Sequence, residues 1–239
     1  RYTTAAGALF LLALNAYICR ELFFIEYTRH LGSIEAAYIA ISRYAMENWR
    51  DLTWFPLWYT GVPYQNTYPP LLHLVVAAVA QLLGISPALS HHVVTAVFYC
   101  FGPVALFGMA YRLSGQRSYS FAAALVFSVL SPSAFLATAV RTSAGGVWAA
   151  RRLQTLVEWG EGPHITSITL LPLAILGLHW ALTRRRLLPA YLAAAGLAAV
   201  VLANWLGAAA LAMAAVAYLL SALSRPGWKT WRDAAGIGL

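Results

Sequence analysis

Residues 91–111 have the sequence HHVVTAVFYCFGPVALFGMAY, which contains no Asp, Glu, Lys or Arg. A helix of this length rises about 30 Å and therefore matches the hydrocarbon core of a bilayer. Five further runs are predominantly apolar and nearly as long or longer, at 4–25, 119–139, 164–183, 187–204 and 206–223. The sequence therefore predicts an all-α integral membrane protein with about six transmembrane helices.

The composition agrees with a chain that is buried in lipid. Apolar residues make up 61% of the 239 residues and charged residues only 10%, whereas soluble domains average about 25% charged residues. The basic residues are scattered between apolar runs rather than gathered in one patch, which argues against a nucleic-acid partner. Cys19 and Cys100 both lie in apolar runs and form no zinc or disulfide pattern.

One apolar run, from Pro70 to Gly84, is too short to cross a bilayer, because 14 residues reach only about 21 Å as a helix. Proline suits the first turn of a helix, and Pro69 and Pro70 stand at its start. We therefore expect an interfacial helix over 70–83 rather than a seventh span.

Charge supports this topology. With the N-terminus inside, the short inner segments hold Arg1, Arg112, Arg117, Arg184, Arg185, Arg186, Arg225, Lys229 and Arg232 against the single acid Asp233, a balance of 9 − 1 = +8. The outer segments hold the seven remaining arginines and seven of the eight acids, which cancel. Lys and Arg in short loops mark the cytoplasmic side of a membrane. We therefore expect a cytoplasmic N-terminus and an active face on the periplasmic or extracellular side.

The predicted domain organisation is a single transmembrane module over 1–239. Its two long outer loops cover about 26–90 and about 140–163, and any chemistry that needs a carboxylate belongs there. We also expect the chain to be a piece of a longer protein, because an amphipathic stretch that resembles the approach to another span precedes Leu239.

The first outer loop contains a second predicted interfacial helix, over 34–49, with Ser33 as its N-cap. Glu35 falls in the first turn, where unpaired N–H groups favour an ionised carboxylate. Such a group can act as a general base. The alternative is that Glu35 only stabilises its own helix.

Aromatic residues fill the rest of this loop, from Trp54 to Tyr68. Trp and Tyr at this depth usually anchor a protein at the membrane interface. Because they cluster in one loop, they could also form a wall for the apolar face of a sugar, with Tyr38, Tyr64 and Tyr68 as candidate substrate contacts.

The second outer loop supplies candidate phosphate ligands, Arg141, Arg151 and Arg152. Guanidinium groups bind phosphate oxygens through paired hydrogen bonds. The alternative is that these arginines extend to lipid headgroups. Glu161 and His164 are candidates for positioning substrate. With Glu35 they could also hold a divalent cation, but no metal-ligand spacing supports one, so we expect no cofactor.

The residues of the first outer loop resemble a known family. The matching segments are Ile34-Glu35-Ala36-Ala37-Tyr38, Gly61-Val62-Pro63 and Tyr68-Pro69-Pro70-Leu71. Together they resemble the first outer loop of GT-C superfamily glycosyltransferases, such as lipid-A aminoarabinose transferases and protein O-mannosyltransferases. The stretch is also similar to bacterial multi-span membrane proteins labelled as related to pyruvoyl-tetrahydropterin synthase. The resemblance covers about 30–75.

The resemblance implies an inverting glycosyltransferase of the bacterial inner membrane, with a polyprenyl-phosphate-linked sugar donor and Glu35 as the base. Ile34 stands where the family usually has a first acid, and this departure puts a metal-assisted mechanism in doubt. The alternative function is a non-catalytic GT-C-like subunit that scaffolds or anchors a larger complex with other membrane subunits. A transporter is disfavoured, because the sequence shows no Gly/Pro-broken spans in matched halves and the later spans lack buried acids.

Overall fold

The computed structural model describes residues 2–30, 33–184 and 186–223, and these ranges are almost entirely helical. The helices are α1 (Tyr2–Ile18), α2 (Glu35–Glu47), α3 (Leu71–Leu83), α4 (Pro87–Ser114), α5 (Arg117–Val129), α6 (Ser133–Leu136), α7 (Thr138–Ser143), α8 (Arg151–Val157), α9 (Gly162–Arg184), α10 (Leu187–Ala203) and α11 (Trp205–Leu223). Short 3₁₀ turns cover Arg20–Phe23 and Tyr64–Asn66. The prediction of an all-α protein is confirmed.

Two short strands interrupt the first outer loop. They are β1 (Trp54–Phe55) and β2 (Val62–Pro63), and they pair in antiparallel register with Trp54 opposite Pro63. They close the aromatic part of the loop into a small hairpin.

Within the described ranges, three helices are long and apolar enough to cross a membrane. They are α4, α9 and residues 205–222 of α11. Helices α1, α3 and α10 are apolar but shorter, at 17, 13 and 17 residues. The chain thus has the helices of a membrane protein, with three clear spanning candidates rather than the predicted six.

The predicted span at 119–139 is not one helix. Helix α5 stops at Val129, and Leu130 is extended at φ −113° and ψ 156°. Pro132 follows, and proline both lacks an N–H and disfavours a helical conformation in the residue before it. The chain then continues as the two short helices α6 and α7. Hydropathy missed this break because the residues around it are small or apolar.

Helix α4 begins one turn earlier than the predicted span. The Ser86 hydroxyl accepts a hydrogen bond from the Leu89 N–H at 3.1 Å, and Pro87 occupies the first turn. The helix ends at Gly115, whose φ of +72° is the left-handed conformation that glycine adopts at helix ends. The extra turn places His91 and His92 inside the helix rather than at its tip.

The longer helices alternate in direction. Helix α1 runs parallel to α5, because Arg117 contacts Thr3 at one end and Asn15 donates a 2.9 Å hydrogen bond to Ser128 at the other. Helix α4 runs the opposite way. The turn after α1 packs on the middle of α4, where Cys19 Sγ lies 3.6 Å from Cys100 Sγ.

The second half of the chain continues this alternation. Helix α9 runs alongside α4, with the Thr169 hydroxyl donating to the Phe98 carbonyl at 2.8 Å. Helix α10 returns along α9 so closely that a Cβ on Gly177 would lie 3.3 Å from the Ala193 Cα. All these helices therefore share two ends, which we call the Glu35 end and the Arg184 end.

Helices α2 and α3 lie where the two interfacial helices were predicted and are slightly shorter than expected. The N-cap of α2 is Ile34 rather than the predicted Ser33, whose hydroxyl accepts a hydrogen bond from the Glu35 N–H at 3.1 Å. The buried face of α2 includes the polar residues Glu35 and Ser42, whereas Ile34 just before the helix is 42% exposed. Helix α2 packs against both α3 and α4. It therefore turns some polar side chains inward.

Several charges used to infer the topology lie outside the described residues. They are Arg1, Arg185, Arg225, Lys229, Arg232 and Asp233, and the end of the chain at Leu239 lies there too.

Candidate functional site

The two outer loops meet at Gly160. The Ile34 N–H donates to the Trp159 carbonyl at 3.3 Å. Gly160 has φ +73°, and a Cβ at this position would lie 2.6 Å from the Glu35 backbone nitrogen and even closer to the Ser33 hydroxyl. Only glycine combines this backbone conformation with such a close approach. Gly160 thus allows the second loop to reach the start of α2.

Glu35 is buried at this junction and pairs with His92. The Glu35 side chain carries Oε2 to 3.1 Å from His92 Nε2, and both side chains are less than a tenth exposed. The other ring nitrogen, His92 Nδ1, lies 2.9 Å from the Ile25 carbonyl oxygen. Because a carbonyl oxygen only accepts, Nδ1 must carry a hydrogen and donate it.

The 3.1 Å contact with His92 Nε2 occupies one carboxylate oxygen of Glu35. The second carboxylate oxygen, Oε1, makes no hydrogen bond within the described part of the chain and remains able to accept one.

Tyr38, Tyr68 and His73 form an aromatic group next to Glu35. The ring centroids of Tyr38 and Tyr68 are 4.7 Å apart, and the His73 ring lies 5.4 Å from that of Tyr38. Burial, together with the neighbouring Tyr68 hydroxyl, raises the pKa of Tyr38 well above its usual range. Burial also raises the pKa of Tyr68. Both phenols therefore stay protonated and can donate hydrogen bonds.

His73 is held as a neutral ring. The Ser42 hydroxyl donates to the Tyr38 carbonyl at 2.9 Å, so Nδ1 of His73 donates to the Ser42 oxygen at 3.3 Å. Burial lowers the pKa of His73 to about 4. Its Nε2 is buried and has no hydrogen-bond partner among the described residues.

Glu161, His164 and Asn204 complete the group from the other side. Glu161 precedes α9, where its carbonyl accepts the Ile165 N–H at 3.1 Å. Burial raises the pKa of its side chain, and its charge acts on the Tyr38 and Tyr68 hydroxyls. Asn204 donates to the Tyr68 hydroxyl at 2.9 Å.

Asn204 is held by its own helix. Its side-chain oxygen caps α11 by accepting the Gly207 N–H at 3.0 Å. The His164 side chain lies close enough to the Asn204 side chain to interact with it. The resulting set, which we call the Glu35 cluster, draws on α2, α3, α4, the start of α9 and the α10–α11 turn. Its members are Glu35, Tyr38, Tyr68, His73, His92, Glu161, His164 and Asn204.

Tyr64 lies outside this cluster. It is buried in a small core beneath α2, with its ring centroid 6.3 Å from that of Tyr44 and 6.4 Å from that of Phe55. Burial raises its pKa to about 12. The aromatic loop therefore folds partly on itself, and only Tyr68 extends to the cluster.

Of the three candidate arginines, two bond other parts of the chain and one is exposed. Arg152 is buried between helices, with Nη2 donating to the Tyr99 carbonyl at 2.6 Å and Nη1 to Asn15 at 3.3 Å. Its guanidinium stacks on the rings of Tyr99 and Phe127 at 4.3 and 4.5 Å. Arg151 bonds Gln154. Arg141 is exposed on α7.

The cluster thus contains Glu35, Tyr38, Tyr68, Glu161 and His164 from the sequence prediction, and it adds three residues. His73, His92 and Asn204 had no assigned role. All three are polar residues within or between apolar runs, where a side chain needs a hydrogen-bond partner. Sequence alone does not say which partner.

The cluster does not have the geometry of a metal centre. Among residues 2–30, 33–184 and 186–223, no three His, Cys, Asp or Glu side chains stand close enough to share an ion.

Comparison with known proteins identifies no relative. No protein-family model, curated protein sequence or solved structure matches the chain.

Proposed function

We propose that the chain is a module of an inverting membrane glycosyltransferase that uses a polyprenyl-phosphate-linked sugar donor at the Glu35 end. One observation carries the proposal: Glu35 is buried where the two predicted outer loops meet, is paired through Oε2, and lies one helical turn from Tyr38, whose ring packs on that of Tyr68. A carboxylate held in this way has one oxygen free for an incoming hydroxyl. The resemblance of residues 30–75 to GT-C outer loops also supports the proposal.

In the proposed reaction, Glu35 Oε1 removes the proton from the acceptor hydroxyl. The acceptor oxygen then attacks the anomeric carbon in line with the departing lipid phosphate, which inverts the configuration. His92 holds the carboxylate through Oε2 and stabilises its charge. Tyr38 and Tyr68 offer hydroxyl donors and ring faces to the sugar.

An outer arginine would stabilise the phosphate that leaves. Arg152 is less suited to this than expected, because both of its terminal nitrogens already bond protein groups. Arg141 is exposed and Arg151 only partly covered, so these two remain the better candidates.

The proposed topology has six crossings, a cytoplasmic N-terminus and a bacterial inner membrane location. The alternating helix directions support it, as do Arg112, Arg117 and Arg184 at the ends of helices on the opposite side from Glu35. In this arrangement α5 to α7 make one broken crossing.

Replacing the base is the direct test. Glu35→Gln keeps the shape of the side chain and removes its basicity, and loss of a general base costs about 10²–10⁴-fold in rate. Glu47→Gln is the matched control, because Glu47 is an exposed acid on the same helix. Transfer from a labelled polyprenyl-phosphate sugar would be measured in membranes. If the Glu35→Gln protein transfers sugar at the wild-type rate, the proposal is contradicted.

The second candidate is a non-catalytic subunit. One observation favours it: Glu35 is only 6% exposed and is already paired with a buried histidine, as a purely structural residue would be. In this case neither acid variant changes transfer by the assembled complex. Glu35→Gln would instead reduce the amount of partner that copurifies with the chain, while Glu47→Gln would not.

A further inference from the structure

A cavity of about 560 Å³ opens at the Arg184 end, remote from the Glu35 cluster. One face of α9 forms its main wall, with residues three or four apart along the helix. These residues are Leu173, Leu176, Gly177, Trp180, Thr183 and Arg184, and His179 of the same helix also lines the cavity. Arg112 of α4 and Leu192 of α10 line the other sides.

The lining changes in character along the helix. Leu173 and Leu192 are 49% and 48% exposed, and with Leu176 they form an apolar wall. From Leu173 to Arg184 the helix rises about 16 Å, close to half of a ~30 Å hydrocarbon core. The cavity therefore changes from apolar to polar over the depth of one lipid leaflet.

The polar end of the cavity is basic. Arg112 lies in the last turn of α4 and Arg184 in the last turn of α9, and both are exposed. The Arg184 guanidinium lies 5.6 Å from the centre of the Trp180 ring, and tryptophan is typical of the headgroup region. None of the described lining residues is acidic, so the site has an unbalanced positive charge.

We propose that this cavity binds one anionic phospholipid from the leaflet at the Arg184 end. The phosphate bonds to Arg112 and Arg184, and an acyl chain lies along Leu173, Leu176 and Leu192. Guanidinium groups favour phosphate, and an apolar wall of leaflet depth suits an acyl chain. A free phosphate ion would leave that wall unused. This proposal is independent of the proposed glycosyltransferase activity.

Lipid retention by the full chain tests the proposal. The protein would be purified from nanodiscs that contain phosphatidylglycerol and phosphatidylcholine in equal amounts, and the lipids bound per chain counted by native mass spectrometry. We expect one phosphatidylglycerol to be retained in preference to phosphatidylcholine. Arg112→Gln and Arg184→Gln should each weaken its binding by about tenfold, the loss expected for one charge-assisted hydrogen bond.

Arg117→Gln is the matched control. Arg117 is an exposed arginine at the same end, and it contacts Thr3 and Tyr111 rather than the cavity. This variant should retain phosphatidylglycerol as the wild type does. If all three variants retain phosphatidylglycerol equally, the proposal is overturned. An equal loss of phosphatidylglycerol in all three also overturns it, because such a loss reflects only the general surface charge. Thermal unfolding of each variant shows whether the fold is preserved.

Two further ligands test the acyl chain. Dihexanoyl phosphatidylglycerol should bind about tenfold or more weakly than the dioleoyl form, because it buries fewer methylene groups. Inorganic phosphate should not displace the long-chain lipid. Equal binding of the two lipids, or displacement by phosphate, overturns the phospholipid proposal in favour of a simple anion site.

Discussion

His92 Nε2 lies 3.1 Å from Glu35 Oε2, although Glu35 begins α2 and His92 lies in the second turn of α4. This contact ties the predicted first outer loop to α4, one of the helices long and apolar enough to span a membrane. The Ile25 carbonyl holds the His92 ring through Nδ1, and Glu35 Oε1 has no hydrogen-bond partner among the described residues. The remaining members of the cluster are arranged around this pair.

Because Glu35 and His92 form a buried pair, we expect substitutions at the two positions to have strongly coupled effects on stability. His92→Ala removes one partner of a buried pair and should lower the free energy of unfolding by about 3–5 kcal/mol. Glu35→Ala/His92→Ala removes both groups and should cost less than the sum of the two single variants. Thermal unfolding of all four proteins in detergent measures this. Additive effects would show that the two side chains do not interact.

Because Gly160 lies very close to the start of α2, we expect a methyl group at this position to reduce the stability of the protein unusually strongly. A residue other than glycine costs about 1–2 kcal/mol in the left-handed backbone conformation alone. Gly160→Ala should lower the free energy of unfolding by clearly more than this, because its Cβ would collide with Ser33 and Glu35. Gly145→Ala is the control, since Gly145 has φ +77° in the same outer loop with open space around it. Similar unfolding temperatures for the two variants would argue against this loop contact.

His73 predicts a defined pH dependence. Burial holds its pKa at about 4 in the folded state, against an ordinary value of 6.5. As the pH falls from 6.5 towards 4, the unfolded chain takes up a proton that the folded chain refuses, so the stability contributed by neutral His73 is progressively lost. The slope reaches about 1.4 kcal/mol per pH unit.

His73→Asn isolates this contribution. As the pH falls from 6.5 towards 4, the free energy of unfolding of the wild type should decrease relative to that of the His73→Asn variant. His30→Asn, at an exposed histidine outside the cluster, serves as the control. A difference that stays constant between pH 7 and pH 4 would contradict the burial of His73.

The proposed orientation predicts which end of the bundle can be labelled from outside. Thr142 and Ser114 are exposed residues at the Glu35 end and the Arg184 end. In a background without Cys19 and Cys100, an impermeant maleimide on intact cells should label Thr142→Cys but not Ser114→Cys. Labelling of both after permeabilisation is the control, and the reverse pattern in intact cells contradicts the orientation.

Much of the fold was accessible from local patterns. The uncharged run at 91–111 predicted a spanning helix, and α4 contains it. The pattern after Gly32 predicted the helix that begins at Glu35. The span at 119–139 failed for an equally local reason: Pro132 outweighs hydropathy, because a backbone without an N–H cannot continue the hydrogen-bond ladder.

The cluster was less predictable. Glu35, Tyr38 and Tyr68 stood out through their motif, but Tyr64 was expected to contact the sugar with the other two tyrosines and instead packs against Tyr44 and Phe55. Arg152 was expected to bind phosphate, yet it bonds the backbone of α4 and Asn15 of α1. A guanidinium on a short helix can turn towards water or towards protein, and only the packing of neighbouring helices decides which.

The sequence by itself determined that the chain is helical and apolar, roughly where most of its main helices lie, and that most of its acids gather in two loops. Hydropathy, capping and charge act over one or two helical turns, so a linear pattern records them. Only the tertiary structure decided that Gly160 allows those loops to touch, that His92 holds Glu35, and that Asn204 reaches Tyr68. These contacts join side chains from distant segments, and their geometry depends on how whole helices pack.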